Sequence, residues 1–287
     1  MLMTRSYINM SFRPRDSLSE IEAVTALENC ILDVRAKMTE DLLWLNYEKT
    51  EFLWVGSRQQ LAKVSTNSIK VGEANVTPVS SSRNLGAWLD SHLDMSTHVS
   101  KTCGSGCYYL YNIRRIRKFL SREHTEPLVH AFMTSRLDYC NRPLYSVLDC
   151  QIMKLQRVMN TNARLIYCAR KFCHITPIRI ELHRLPVRRR IKFKILLIVY
   201  KVTYIKILTP KHLSDLIAVL PSSNYDLLHN YYSTLFSVRS TEKKKTMGDW
   251  LFENAAPILW NSFPLSLRKA GTINKLRDHL KKDDDRS

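Results

Sequence analysis

The chain has 287 residues, with 44 Lys and Arg against 26 Asp and Glu, and a formal charge of +18. That length suffices for two domains with a real core, and 45% hydrophobic residues argue against wholesale disorder. Only seven glycines are present, and the one Gly-x-Gly, Gly104-Ser105-Gly106, lacks a third Gly at the spacing a phosphate-cradling loop needs, so a helix-rich chain is favoured.

Residues 18–42 predict a helix. Leu18, Ile21, Val24, Leu27, Ile31, Val34 and Met38 recur every three or four positions and draw one apolar stripe. Ser17 or Ser19 suits its cap, and Glu20 and Glu22 suit the positive end of its dipole. Beyond Leu45-Asn46 the period shortens. Phe52-Leu53-Trp54-Val55 reads as a strand ended by Gly56, and 69–71, 76–79 and 85–89 read as further short strands, with turn chemistry at 72–75. The first hundred residues predict a small α+β piece.

From Thr97 the helical period returns, with helices expected over 97–119, 122–138 and 149–170 and Ser121 as a cap. The stretch 188–206 alternates like a strand at 191–195, but its length suits a buried helix, which is the expectation here. Pro210, Pro221 and Ser222-Ser223-Asn224 mark a boundary before a mixed C-terminal segment. Lys243-Lys244-Lys245 reads as an exposed loop and Asp283-Asp284-Asp285 as a frayed tail. Three regions follow: 1–96, 97–212 and 213–287.

The charge is not shared among them evenly. Residues 1–100 carry ten basic and twelve acidic side chains, whereas 101–212 carry 23 and five, a net of +18. Such a field suits a polyanion, either nucleic acid or an acidic membrane surface, and aromatics are interleaved with it. Arg114, Arg115, Arg117 and Lys118 follow Tyr108, Tyr109 and Tyr111; Arg164, Arg170 and Lys171 flank Tyr167 and Phe172; Arg188, Arg189, Arg190, Lys192 and Lys194 surround Phe193. Cations neutralise phosphates and aromatic faces stack bases, so nucleic acid is the expected partner. The longest apolar run, 195–200, is far short of a membrane span. Seven cysteines, an odd number, and no secretory pattern at the start point to a reduced, intracellular compartment, nucleus and cytoplasm not being distinguished.

Catalytic and metal chemistry is sparsely written. Cys103-x3-Cys107 and Cys168-x4-Cys173-His174 lack two-residue knuckle spacing and read as structural, so no metal site is expected. His130, His174 and His183 read as packing or capping residues. The acids of the basic block, Glu123, Glu126, Asp138, Asp149 and Glu181, show no pairing of the kind two-metal catalysis requires, and Asp90 and Asp94 read as capping or turn residues.

Several blocks carry a family resemblance. LDVRAKMTEDLLWLNYEKTEFLWVGS (32–57), SSRNLGAWLDSHLDMSTHV (81–99), FMTSRLDYCNRPLYS (132–146), LQRVMNTNARLI (155–166), HITPIRIELHRLPVRRRIKFKILLIVYK (174–201) and GDWLFENAAPILWNSFP (248–264) resemble the reverse transcriptase of jockey-like non-LTR retrotransposons, over nearly the whole chain from about residue 6. The resemblance implies part of a right-hand RNA-directed DNA polymerase. It would comprise a truncated palm remnant of one helix and short antiparallel strands over 1–96, a basic helical thumb over 97–212 and a C-terminal extension over 213–287. It places Thr4 and Arg5 where the family has the two acids of its Tyr-Ala-Asp-Asp turn, so no catalytic carboxylate stands there and Mg²⁺ is expected only for an intact polymerase. Lys49 resembles the lysine that protonates the leaving pyrophosphate, although by itself it reads as a strand-edge Lys. Leu85-Gly86 resembles the primer-grip turn. Arg184 departs from the family, where Trp commonly follows Leu-His. The expected partner is RNA or DNA, above all an RNA–DNA duplex, with no polymerase activity from this chain. The alternatives are a non-functional pseudogene product, or a nuclease or other enzyme of unrelated class.

Overall fold

In the computed structural model, which describes residues 17–46, 49–204, 215, 236, 252–268 and 273–282, helices dominate and two small antiparallel sheets account for the named strands. The chain is a helix-rich α+β protein. It divides into two compact units, Met1–Thr97 and His98–Ser287.

The first unit is organised by helix α1 (Ser17–Glu40). Its apolar stripe is used in part. Val24, Leu27 and Ile31 pack with Phe52, Ile69 and Val71, and Met38 is buried, but Ile21 is 61% exposed. The inward position of the first turn is taken instead by Glu20, which is buried. Its carboxylate accepts the Ser65 N–H at 2.9 Å, the Thr66 N–H at 2.6 Å and the Ser65 hydroxyl at 3.2 Å. Burial alone would raise this carboxyl, but the bonds from Thr66 and Ser65 win and hold it below its ordinary range. The side chains of Ser17 and Ser19, the expected caps, lie outside the described residues.

Strands β1 (Ile69–Val71) and β2 (Ala74–Val76) pair with Val71 opposite Ala74, and Gly72 turns the corner at φ 63°. Strands β3 (Ser81–Asn84) and β4 (Ala87–Asp90) pair with Asn84 opposite Ala87. Leu85 and Gly86 are therefore a two-residue turn, at φ 44° and 90°, and the strand expected from residue 85 begins at Ala87. Leu has a Cβ to clash in that left-handed region, at a cost of roughly 1–2 kcal/mol. The strand expected at 52–55 is reduced to one parallel bridge between Phe52 and Pro78. Pro78 has no N–H to extend a ladder, and the strand expected over 76–79 stops at Val76 for the same reason. A short helix, α2 (Arg58–Leu61), starts on a reciprocal capping box between Ser57 and Gln60.

The named elements of the second unit are all helical. Helix α3 (Ser96–Ile116) is followed by a 3₁₀ turn (Arg117–Phe119). The expected helix over 122–138 is present as α4 (Arg122–Val129), a π turn (His130–Thr134) and α5 (Ser135–Asp138). Ser121 caps it as expected, its Oγ accepting the His124 N–H at 3.3 Å. There follow α6 (Asp149–Tyr167), α7 (Ile175–Glu181), α8 (Val187–Tyr204), α9 (Phe252–Asn261), α10 (Leu265–Arg268) and α11 (Ile273–Lys282).

The ambiguous stretch near 188 is a helix. Ile191, Ile195, Val199 and Val202 are buried at intervals of three or four, with Leu196 beside them, so one face packs inward. Helix α8 packs against α6, α9 and α11. Gly106 is buried where α3 meets α6; a Cβ there would lie 3.0 Å from Val158 Cγ1. No helix among the described residues is long and apolar enough to cross a membrane. The boundary expected near 212, the Lys243 loop and the acidic tail lie outside the described residues.

Candidate nucleic-acid interface

The cations of the basic block divide by what they touch. Arg117 reaches inward. Its Nε donates to the Leu165 carbonyl at 3.0 Å, and its two Nη atoms donate to Leu120 O at 2.6 Å and Ile166 O at 2.9 Å. These include carbonyls of the last turn of α6, which carry the negative end of its dipole. Arg164 donates to Cys173 O at 3.2 Å, and Arg189 to Leu280 O at 2.7 Å. Arg188 pairs with Asp149. Arg190 grips Asp138 through both carboxylate oxygens, the Nε–Oδ1 contact being 2.8 Å, while Lys194 donates to the Asp138 carbonyl at 2.6 Å. Lys192 is half-buried on α8. Seven of the fourteen residues expected to bind nucleic acid are thus half-buried cations, six of them joined to other parts of this chain.

Arg114, Arg115, Lys118, Arg170 and Lys171 are exposed. Two of these, Arg115 and Lys118, continue one face of α3. Along that helix and the turn after it, Lys101, Gly104, Tyr108, Tyr111, Arg115 and Lys118 are all exposed and recur at steps of three and four. The opposite face buries Val99, Gly106, Leu110 and Ile113. The arrangement follows from amphipathic spacing, except that the outward face carries rings as well as charges. Tyr108 is 63% exposed and Tyr111 61%. Arg115 lies 6.0 Å over the Tyr111 ring, and Lys118 4.8 Å over Phe119.

Neighbouring elements widen this surface. Tyr108 meets Tyr109 edge to face at 5.4 Å, and Tyr109 stacks on Phe132 at 5.5 Å. Arg136 sits 4.6 Å over the Tyr109 ring and donates to its hydroxyl at 3.0 Å. Lys154 of α6 is exposed and lies near Cys103, whose thiol burial pushes up to about 11 against the pull of that cation. Arg136 and Lys154 are absent from the residues expected from sequence; Lys154 stands at the margin of the face of α6 that buries Ile152, Leu155 and Val158. Arg117 brings the α6 terminus beside the 117–119 turn, and the exposed Arg170, Lys171 and Phe172 follow that terminus. Phe172 is 91% exposed, with Lys171 5.7 Å from its ring.

The remaining expectations fall elsewhere. Thr4 and Arg5 lie outside the described residues. Lys49 is exposed and sits in a turn, its N–H donating to Asn46 Oδ1 at 3.2 Å, rather than on a strand edge. Leu85 and Gly86 form the β3–β4 turn, with Leu85 73% exposed. His130, His174 and His183 are exposed; His130 stands at the C-cap of α4, and His174 at the N-cap of α7 without a side-chain cap bond. Asp90 and Asp94 act as caps: Asp90 Oδ1 accepts the Asp94 N–H at 2.8 Å, and Asp94 Oδ1 accepts the Ser96 N–H at 2.7 Å. Burial and the neighbouring Asp94 raise the Asp90 carboxyl; Asp94, although burial opposes it, is held low by its bonds from Ser96. The pair borders an open cleft of about 490 Å³ with Arg58, His92 and three serines. Arg184, the position where the resemblance breaks, has a side chain only 7% exposed with Glu126 4.0 Å away, and burial holds its pKa below the ordinary value.

No family model, curated protein or solved structure matches this chain.

Proposed function

We propose that this chain is part of a non-LTR retrotransposon reverse transcriptase and binds nucleic acid without polymerising it. On this reading residues 1–96 belong to the palm and 97–212 form a basic thumb whose ligand is a template–primer duplex. The observation that carries the binding function is the exposed row Tyr108, Tyr111, Arg115 and Lys118, set in a segment of net charge +18. Phosphates are attracted by the cations and released by salt. The absence of polymerisation rests on Thr4 and Arg5, which stand where the resemblance requires a carboxylate pair. Neither side chain holds Mg²⁺ as a carboxylate does, and Arg5 repels it.

The test is made on the full chain with a short RNA–DNA hybrid. Binding that weakens steeply with salt, together with no nucleotide incorporation on addition of Mg²⁺ or Mn²⁺, supports the proposal. Incorporation would return the chain to the active polymerases, and absence of binding at low salt would remove the nucleic-acid role.

A second reading, a chain without a cellular role, is favoured by one observation. Leu42 is 88% exposed and Trp44 84% exposed, beyond the end of α1. Exposed apolar side chains promote aggregation. Soluble protein with a cooperative thermal transition would count against that reading.

A further inference from the structure

Phosphate attraction explains the cations of the α3 face but not its rings. Tyr108 and Tyr111 are more than half exposed although the helix has a complete inward face. Ring faces left in water beside guanidinium groups suit the faces of unpaired bases, which a duplex keeps inside its own stack. The dimensions agree. Tyr108 and Tyr111 are three residues apart, a rise of about 4.5 Å along the helix, and Arg115 and Lys118 extend the row by about 10 Å more. Successive bases of a relaxed single strand are separated by a similar few ångströms, close to the 3.4 Å between charges along one strand.

Resting on the nucleic-acid reading above, we propose that the α3 face binds a single-stranded segment, with one base on Tyr108, one on Tyr111, and the following phosphates on Arg115 and Lys118. The Tyr109–Phe132 stack, held by Arg136, fixes the floor on which Tyr108 stands. Arg136 is committed to that ring and hydroxyl, so its role is to position the surface. The occupant is RNA or DNA alike, because every base has a π face.

The experiment uses the full chain and three fluorescein-labelled probes: a blunt RNA–DNA hybrid, the same hybrid with a ten-nucleotide oligothymidine overhang, and the overhang strand alone. The overhang is expected to tighten binding by at least about ten-fold over the blunt hybrid, since a gain of that size is within what a single stacked base supplies and two are stacked here. Tyr108→Ala with Tyr111→Ala should abolish that gain, whereas Tyr108→Phe with Tyr111→Phe should keep it, since only the ring face is used. Both positions are exposed, and unchanged thermal unfolding of the alanine variant separates loss of stacking from loss of fold. Equal affinity for blunt and overhanging probes, or an overhang gain that survives the alanine substitutions, overturns the stacking proposal and leaves the nucleic-acid reading standing. No binding to any probe overturns both.

Discussion

The guanidinium of Arg117 is bound to the end of a helix that lies 48 residues further along the chain, its Nε 3.0 Å from the Leu165 carbonyl oxygen. With Ile166 and Leu120 it satisfies three carbonyls at once. The α6 terminus also closes on itself, Cys168 adopting φ 50° and the Ala169 N–H donating to Arg164 O at 2.9 Å. A residue whose type suggests phosphate binding is therefore a fastener between the turn after α3 and the end of α6.

Replacing Arg117 should lower stability more than it lowers affinity. A hydrogen bond to a charged group contributes about 1.5–3 kcal/mol, so Arg117→Ala is expected to lose at least one such increment in chemical denaturation. Arg114→Ala, on the exposed side, should leave the denaturation midpoint unchanged within about 0.5 kcal/mol.

The two glycines of α3 predict opposite responses. Nothing lies within 4 Å of a Cβ built on Gly104, so Gly104→Ala should stabilise the helix by about 0.8–1 kcal/mol. A Cβ on Gly106 meets Val158 Cγ1 at 3.0 Å, so overpacking of about 1–3 kcal/mol opposes the same helix gain, and Gly106→Ala should destabilise by up to about 2 kcal/mol where Val158 stays in place. Thermal unfolding of the pair reads both signs.

Asp138 holds Arg190 at two points, and both side chains are largely shielded. Asp138→Ala would leave Arg190 without its carboxylate, beside the Arg184 side chain. The expected loss is about 3–5 kcal/mol, the size typical of breaking a shielded ion pair from one side. Replacing the exposed partner Glu40 of Lys37 should cost less than about 1 kcal/mol.

Acid should weaken the protein in two stages. Burial lowers the His98 pKa from its ordinary 6.5, partly opposed by its bond with the Tyr139 backbone. The unfolded chain therefore binds that proton first, and the His98 contribution, complete above about 6.5, is lost as pH falls toward the folded value. Glu20, also lowered, contributes fully above its ordinary 4.5 and is lost as pH falls through its folded pKa. His98→Phe should flatten the first stage and Glu20→Gln the second, as read by denaturation midpoints across pH 3–8, a range set to bracket both ordinary values.

Periodicity made the helices legible and left their partners hidden. The stripe in α1 and the cap at Ser121 are local patterns, and a local pattern suffices to start or orient a helix. The strand at 52–55 failed because its fate depends on Pro78, 26 residues away, which offers no N–H. Ile21 likewise lost the inward position to Glu20, whose partners Ser65 and Thr66 no helical period reveals. The same limit applies to the interface. Net charge located the basic segment, but Arg117, Arg164 and Arg190 have the same residue type as Arg114 and Arg115. Only the carbonyls and the Asp138 carboxylate across the fold separate fasteners from exposed cations.

The exposed cations should each contribute a phosphate contact, whereas Arg117 and Arg190 should not. The direct measurement is the salt dependence of hybrid binding by the full chain and by a variant carrying Arg114→Ala, Arg115→Ala and Lys118→Ala. The variant should bind more weakly, with a slope of log affinity against log salt shallower by about three, one per cation removed. An unchanged slope and affinity, in a variant that unfolds at the same temperature, would contradict these phosphate contacts.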